Sequence, residues 1–209
     1  MIGAGMDSRP YRLPLPDVTW FEVDVPSVLS LKSALLGQVP ENLQHLLHPK
    51  LKKHILVPLN LRQGEEALMK ALSDSGFDST EPTYFIMEGL LMYLSIGEIK
   101  QLFQSLPAVE GSRATATVAT PLLRRLLQLP PVYLLLDALK IKAHRIALLW
   151  KSDWLSFTLA KAHLPWRITS DVNIAEDFLS RGVRMPSSKA GWRVDRSPEN
   201  LIDFVPAGV

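Results

Sequence analysis

Cysteine is absent from the 209 residues of this chain. Its absence excludes disulfides, thiolate-bound zinc, iron–sulfur clusters and a cysteine nucleophile. Long apolar runs are missing as well. The most apolar stretch, residues 126–136, is interrupted by Gln128 and two prolines and is followed by Asp137, whereas a membrane span needs about 20 apolar residues. We therefore expect no transmembrane helix and no membrane partner.

A strong excess of one charge is the third missing feature. Lysine and arginine total 23 and aspartate and glutamate total 21, which gives a net charge of +2. So small an excess does not indicate a nucleic-acid partner or an anionic membrane. The N-terminus has no basic region ahead of an apolar core, so no signal peptide is predicted. A cytoplasmic location is favoured, and an organellar one stays open if an upstream segment is missing.

The composition that is present is typical of a globular protein, with 47% hydrophobic and 21% charged residues. This length predicts one domain over residues 1–209. Residues 1–120 alternate strand and helix patterns. Residues 121–170 are rich in leucine and interrupted by prolines, which predicts a helical insertion or lid. Residues 171–209 form a C-terminal part with a short helix at residues 174–180 and a strand around residues 192–194.

Four runs of strand length alternate with helical patterns in residues 1–120. We predict strands at residues 19–24, 54–59, 83–87 and 114–119, and helices at residues 27–36, 64–75 and 95–106. In the first helix Val28, Leu31 and Leu35 recur at spacings of three and four. Ser95 and Glu98 form a capping box before the third. The alternation predicts an α/β fold with a parallel sheet and helices on both faces.

A glycine turn and two carboxylates indicate a ligand site at the carboxyl ends of the strands, where open parallel sheets bind ligands. Gly3 and Gly5 let the backbone turn tightly and approach a ligand. Asp24 ends the first predicted strand, 19 residues after Gly5, where a carboxylate can accept hydrogen bonds from ribose hydroxyls. Glu88 follows the third strand. Taken singly, the glycines also fit a tight strand-to-helix turn, and Asp24 also fits a helix cap. Taken together, these residues indicate a nucleoside cofactor.

The chemistry of the turn favours one nucleoside cofactor over another. A dinucleotide fingerprint has a third glycine where this chain has Ser8, and Asp7 beside it would repel a pyrophosphate. S-adenosyl-L-methionine has no phosphate and carries a sulfonium and an ammonium group, so acidic residues suit it better. An NAD-dependent oxidoreductase is the weaker alternative.

Around these groups the sequence resembles three motifs of the leucine carboxyl methyltransferase-like family. Residues 3–13 (GAGMDSRPYRL) are similar to its GAGxD(S/T)R-x-x-RL motif, residues 21–26 (FEVDVP) to (F/Y)EVD-x-P, and residues 88–94 (EGLLMYL) to EG-L-x-YL. The family groups S-adenosyl-L-methionine-dependent O-methyltransferases of protein phosphatase catalytic subunits with many bacterial relatives. The resemblance covers residues 2–120 and returns faintly at Gly191 and Trp192. It implies a Rossmann-like class I methyltransferase sheet that is mostly parallel.

The resemblance also implies a role for each matching position. The backbone at Gly3 and Gly5 faces the methionine part of the cofactor, and Asp24 holds the ribose hydroxyls. Asn60 and Leu61 align with an Asp-Leu pair that contacts adenine.

Three further positions concern the cofactor amino group and the methyl acceptor. Glu88 is expected to contact the cofactor near its amino group. Arg9 supports the motif by pairing with a neighbouring carboxylate, or contacts the acceptor. Tyr93 lines the acceptor pocket, or packs as a half-buried aromatic under the loop.

Two departures from the family pattern bear on activity. Asn60 replaces the usual aspartate, which keeps a hydrogen-bond acceptor but removes the charge, at a cost of about 1 kcal/mol. Only Met1 and Ile2 precede the glycine turn, so the central first strand of the fold is expected to be largely missing, together with a basic residue that holds the cofactor carboxylate in the family.

For the other side chains that could act in catalysis or bind a metal, we favour a packing or surface role. His45 and His48 are three apart, but a solvated pair is more typical than a metal site, so no metal is predicted. His54 opens a strand and is expected to be structural. The remaining candidates are two histidines, two arginines that could attract an acidic acceptor, and three tryptophans expected to pack: His144, His163, Arg124, Arg125, Trp150, Trp154 and Trp166.

The sequence therefore predicts an S-adenosyl-L-methionine-dependent O-methyltransferase. Its acceptor would be a carboxylate or hydroxyl oxygen of a protein C-terminus or a small molecule. No general base can be assigned, since a carboxylate acceptor needs none and a hydroxyl does. The alternative is an inactive or fragmentary homologue with a regulatory role or none.

Overall fold

The computed structural model describes residues 1–119, 130, 165–173 and 199–207. Its strands are β1 (Leu15–Asp24), β2 (Leu51–Pro58), β3 (Tyr84–Met87), β4 (Arg113–Ala119), β5 (Trp166–Asn173) and β6 (Glu199–Pro206). Its helices are α1 (Arg9–Arg12), α2 (Pro26–Gly37), α3 (Glu65–Asp74) and α4 (Ile96–Ser105), with 3₁₀ turns at Glu41–Leu47, Leu61–Gln63 and Leu91–Tyr93.

Parallel pairing is present among the first four strands, as the alternation of strands and helices predicts. β1 pairs with β2 and β3 with β4, both in parallel. β6 lies between β4 and β5 and runs antiparallel to both. The order β3-β4-β6-β5 therefore forms one half of the sheet, and β1-β2 forms the other.

Met1 and Ile2 join the two halves of the sheet. The Ile2 amide donates to the Ile86 carbonyl of β3 at 2.9 Å, and the Val23 amide of β1 donates to the Met1 carbonyl at 2.9 Å. Ile2 also forms a parallel bridge with Val23. These two residues thus occupy the position between β1 and β3 that belongs to the first strand of the fold. The glycine turn follows directly, so it emerges between the ends of both neighbouring strands.

Local sequence explains how the helices begin. The capping box predicted before α4 is confirmed: the Ser95 amide donates to Glu98 Oε2 at 2.6 Å, and the Glu98 amide donates to Ser95 Oγ at 3.3 Å. Pro26 opens α2, where its fixed φ suits the first helical turn. The buried side chains of α4 are Ile99, Leu102 and Phe103. The Phe103 ring lies 4.8 Å from the ring of Phe204 on β6, which anchors this helix on the sheet.

The prediction that Leu31 and Leu35 lie on the buried face of α2 is wrong. Leu31 and Leu35, expected to pack at helical spacing, are 52% and 47% exposed. The helix buries Leu29 and Lys32 instead. A buried lysine at this position is unexpected from hydrophobicity, and its contacts explain it below.

The second half of the chain departs most from the sequence expectation. The insertion predicted through residue 170 overlaps β5, which begins at Trp166, and residues 199–206 form a strand that the sequence did not predict. Residues 166–173 hold β-branched and aromatic residues among polar ones, a pattern that favours a strand over a helix. The rest of the insertion, the helix at 174–180 and the strand at 192–194 lie outside the described residues. Within the described ranges, no helix is both long enough and apolar enough to cross a bilayer.

We expect Ile2→Ala to lower the free energy of unfolding by about 2–5 kcal/mol, because Ile2 is 2% exposed and its removal leaves a cavity at the joint of the sheet. Urea denaturation measures this change. Ile96→Ala is the matched control, since Ile96 is 41% exposed, and should cost less than about 1 kcal/mol. Equal losses in the two variants would contradict the central position of Ile2.

Candidate functional site

The glycine turn begins where the chain leaves the centre of the sheet. The amides of Gly3 and Ala4 both donate to the Val23 carbonyl, at 2.8 and 3.1 Å. Gly3 and Gly5 have φ angles of 71° and 49°, which favour glycine. A Cβ on Gly3 would lie 3.0 Å from Leu90 Cδ1, whereas one on Gly5 would meet no atom within 4 Å. A side chain at position 3 would therefore meet both an unfavourable φ and a tight contact with Leu90, whereas the space beside the Gly5 Cα is open.

Asp24 fastens the turn to the end of β1. Its Oδ2 accepts a hydrogen bond from the Gly5 amide at 2.7 Å, and its Oδ1 accepts one from the Val25 amide at 2.7 Å. The side chain is half-buried. Because each carboxylate oxygen has two lone pairs, both oxygens keep an acceptor position for a ligand. Two backbone bonds thus fix the orientation of a carboxylate at the edge of the sheet.

Arg9 links the turn to the end of β3. Its Nη1 and Nη2 donate to Glu88 Oε1 and Oε2 at 2.8 and 3.1 Å, and its Nε donates to both Asp7 oxygens at 2.9 and 3.0 Å. Burial lowers the pKa of Arg9, but the hydrogen bonds to Asp7 and Glu88 outweigh burial and raise that pKa above its usual range. All three guanidinium nitrogens of Arg9 thus donate to neighbouring carboxylates, which is the pairing expected of a residue that supports the motif.

The Asp7 carboxylate, which the sequence analysis expected to repel a pyrophosphate, is paired with a neighbouring side chain. The Asp7 side chain is 7% exposed and pairs with Arg9, so Asp7 does not itself present a free charge that would repel a pyrophosphate. Arg9 binds the carboxylates of Asp7 and Glu88, and Asp24 adds a third carboxylate at the end of β1, so these four side chains together carry two formal negative charges. Acidity is therefore a property of the whole site rather than of Asp7 alone.

The segment after β2 lies at the same edge of the sheet. The Leu59 amide donates to the Asp24 carbonyl at 2.8 Å, which ties the end of β2 to the end of β1. Asn60 follows and is exposed; its Oδ1 accepts from the Arg62 amide at 3.1 Å and caps the 3₁₀ turn. Leu61 is partly buried and packs against the core. Asn60 and Leu61 therefore directly follow a residue that is hydrogen-bonded to Asp24.

Tyr93, His45 and His48 occupy more peripheral positions. Tyr93 is 56% exposed at the end of the 3₁₀ turn that follows Glu88, so the prediction of a half-buried packing aromatic does not hold. His45 and His48 are exposed. Trp166 is buried and its Nε1 donates to the Leu106 carbonyl at 3.4 Å, in agreement with a packing role. The other candidates lie outside the described residues: Arg124, Arg125, His144, Trp150, Trp154, His163, Gly191 and Trp192.

Sequence reasoning missed a buried ion pair beneath the turn. Lys32 on α2 and Glu22 on β1 are 4% and 0% exposed, and Lys32 Nζ lies 2.5 Å from Glu22 Oε2. The sequence feature that could have indicated this pair is the spacing of Lys32, three residues after Leu29, which puts both residues on one face of the helix. Lys32 Nζ also donates to the Asp7 carbonyl at 2.6 Å, which connects this pair to the glycine turn.

Comparison with known sequences points to one family. The sequence profile of the leucine carboxyl methyltransferase family matches residues 1–106. A Mycobacterium tuberculosis protein named "Putative S-adenosyl-L-methionine-dependent methyltransferase" is 39% identical over 120 residues, which cover 56% of this chain and 36% of that protein. A protein of the same name from Mycobacteroides abscessus is 38% identical over 122 residues, with the same coverage. The chain thus matches little more than a third of the length of these relatives.

Solved structures share the fold at low identity. A DUF574 family protein from Streptomyces avermitilis has a TM-score of 0.53 at 14% identity, over 91% of this chain and 66% of that one. Magnesium protoporphyrin IX methyltransferase from Synechocystis, solved with bound SAH, has a TM-score of 0.51 at 11% identity, over 99% and 72%. Likeness at these identities shows that the chain has the fold of class I methyltransferases.

We expect Arg9→Met to lower the free energy of unfolding by about 1–3 kcal/mol, because it leaves the nearly buried Asp7 without its charged partner. Thermal and urea unfolding measure the loss. Arg12→Met is the matched control: Arg12 is exposed and its Nε donates to the neutral Ser8 Oγ, so its loss should be below about 0.5 kcal/mol. An Arg9 variant as stable as the Arg12 variant would show that the Asp7–Arg9–Glu88 link is dispensable.

Proposed function

Because the chain belongs to the leucine carboxyl methyltransferase family, we propose that it is an S-adenosyl-L-methionine-dependent O-methyltransferase. The observation that carries the proposal is the convergence of three segments far apart in sequence. The Gly5 amide reaches Asp24, 19 residues away, and Arg9 reaches Glu88, 79 residues away. All three motifs of the sequence analysis thus contribute to one edge of the sheet, where ligands of this fold bind.

The residues at this edge suit the cofactor in their hydrogen-bonding chemistry. Asp24 holds the ribose hydroxyls, since both its oxygens keep an acceptor position while the backbone fixes their direction. The backbone at Gly3 and Gly5 faces the methionine part, helped by the open space at Gly5. Asn60 and Leu61 receive the adenine next to Asp24.

The charge of the site supports the same cofactor. Glu88 is 44% exposed and keeps contact with solvent despite its bond to Arg9, so it can receive the cofactor amino group. Two uncompensated negative charges attract a sulfonium and an ammonium group, and they would repel the pyrophosphate of NAD. This balance favours methyl transfer over the oxidoreductase alternative.

The acceptor is proposed to be an oxygen nucleophile, either a carboxylate or a hydroxyl, of a protein C-terminus or a small molecule. When bound, S-adenosyl-L-methionine supplies a methyl group for in-line displacement from its sulfur. The protein's task is then to hold the acceptor oxygen in line, and such positioning can lower a barrier by roughly 7–11 kcal/mol. A carboxylate needs no base because it is already anionic, whereas a hydroxyl must lose a proton. Exposed Tyr93, five residues after Glu88, is our candidate for the acceptor side.

We expect Asp24→Ala to weaken binding of S-adenosyl-L-methionine at least tenfold, about 1.4 kcal/mol, because the ribose loses its acceptor and Gly5 loses its anchor. Isothermal titration calorimetry of the purified chain measures the affinity. Asp17→Ala is the matched control, since Asp17 is exposed at the other end of β1, and should bind like the original chain. Unchanged affinity in Asp24→Ala would place the ribose elsewhere. Binding without methyl transfer to any acceptor would favour an inactive homologue.

Asn60→Asp should leave the affinity equal or make it tighter by up to about fivefold, on the scale of one hydrogen bond. Aspartate restores the charge while its Oδ1 can still accept from the Arg62 amide and cap the turn. The same calorimetric titration measures the change. A clear loss of affinity would show that the alignment of Asn60 with an adenine-contacting aspartate is wrong.

A further inference from the structure

A buried polar cluster lies directly beneath the glycine turn. Its centre is the ion pair of Glu22 and Lys32, whose side chains are 0% and 5% exposed. His54 Nε2 lies 3.2 Å from Glu22 Oε1, in a geometry that does not make a hydrogen bond. The Tyr11 ring stands edge-on to His54 and 5.9 Å from Lys32 Nζ. Burial, and next the charge of Glu22, raise the pKa of Tyr11.

Lys32 is the member of this cluster that touches the site. Its Nζ donates to the Asp7 carbonyl at 2.6 Å while Glu22 holds it from the other side. The Asp7 amide in turn donates to the Ala4 carbonyl at 3.0 Å, and the Asp7 carboxylate accepts from the Arg9 amide at 2.9 Å. The ammonium therefore fixes the peptide between Gly5, which faces the ligand space, and Arg9, which orients Glu88.

We propose that Lys32 is a positioning residue that sets the glycine turn for cofactor binding, an inference that rests on the function proposed above. Its ammonium acts through the Asp7 carbonyl on two groups at once, the Gly5 backbone and the Arg9–Glu88 pair. Glu22 serves to hold Lys32 in place. Lys32 belongs to none of the three motifs, and Glu22, although part of the second, is buried.

The energetics of buried charge favour this role over a purely stabilising one. Taking an ammonium and a carboxylate out of water costs several kcal/mol per ion, and their attraction often does no more than offset that cost. An apolar side chain on α2, like that of Leu29, would fill the space without this cost. The lysine adds what an apolar residue cannot, a donor aimed at the Asp7 carbonyl.

The test separates positioning from stability with a set of three variants. Lys32→Met keeps most of the aliphatic stem and removes the donor. Glu22→Gln removes the charge but leaves Lys32 able to donate to Asp7. The double variant leaves no unpaired charge, so it should be more stable than Lys32→Met and serves if that variant does not fold. Each is examined by urea unfolding, by calorimetry with S-adenosyl-L-methionine, and by amide hydrogen exchange without ligand.

We expect Lys32→Met and the double variant to bind S-adenosyl-L-methionine at least tenfold more weakly, while Glu22→Gln loses stability but stays within threefold of the original affinity. Exchange at the Gly5 and Asp7 amides should accelerate at least tenfold wherever Lys32 is replaced. The Ile99 amide, which donates within α4 to the Ser95 carbonyl, reports any general loss of stability. The proposal would be overturned if the loss of affinity in the three variants were proportional to their loss of unfolding free energy. Lys32 would then affect binding only by stabilising the fold.

The exchange measurement keeps this inference distinct from the proposed function. If the original chain binds no S-adenosyl-L-methionine, the proposed function fails, and exchange alone decides about Lys32. Faster exchange confined to the turn in Lys32→Met would support its ordering role. Unchanged exchange at Gly5 and Asp7 would overturn that role, whatever the ligand.

Discussion

The pairing of Met1 and Ile2 between β1 and β3 is the constraint on which the rest of the structure depends. Two backbone hydrogen bonds of 2.9 Å, together with the buried Ile2 side chain, hold the two halves of the sheet side by side. The same two residues deliver the glycine turn to the point where the carboxyl ends of β1 and β3 meet. Without this joint, Asp24 and Glu88 would belong to separate sheets, and their shared site would not exist.

The site is one connected set of charges rather than a row of separate ligand contacts. Glu22 holds Lys32, Lys32 holds the Asp7 backbone, and the Asp7 side chain holds Arg9, which reaches Glu88. Because all of these links except the exposed Arg9–Glu88 pair are partly or wholly buried, they restrict the turn more strongly than exposed pairs could. A ligand therefore meets a pre-ordered backbone, so less of its binding energy goes into ordering the turn.

Sequence patterns predicted what depends on local chemistry and missed what depends on tertiary contacts. The four strands of residues 1–120 and the Ser95–Glu98 capping box follow from periodicity and hydrogen-bonding side chains, and they are present. The prediction of which face of α2 is buried was wrong, because it rested on the spacing of apolar residues. That spacing gives no reason to bury Lys32. The charge of Asp7 was misjudged because its partner Arg9 turns back onto it only in the folded loop. β5 and β6 pair antiparallel although 25 residues of chain separate them, which a local pattern does not encode.

The measurement that tests the central claim most directly is an NMR titration of the ¹⁵N-labelled chain with S-adenosyl-L-methionine. The claim is that the edge formed by the glycine turn and the ends of β1, β2 and β3 binds this cofactor. We predict that the largest shift changes fall on the amides of Gly3, Gly5, Val25, Leu61 and Gly89, with little change in α4. Saturable shifts centred elsewhere, or a folded chain whose spectrum does not respond, would contradict the account.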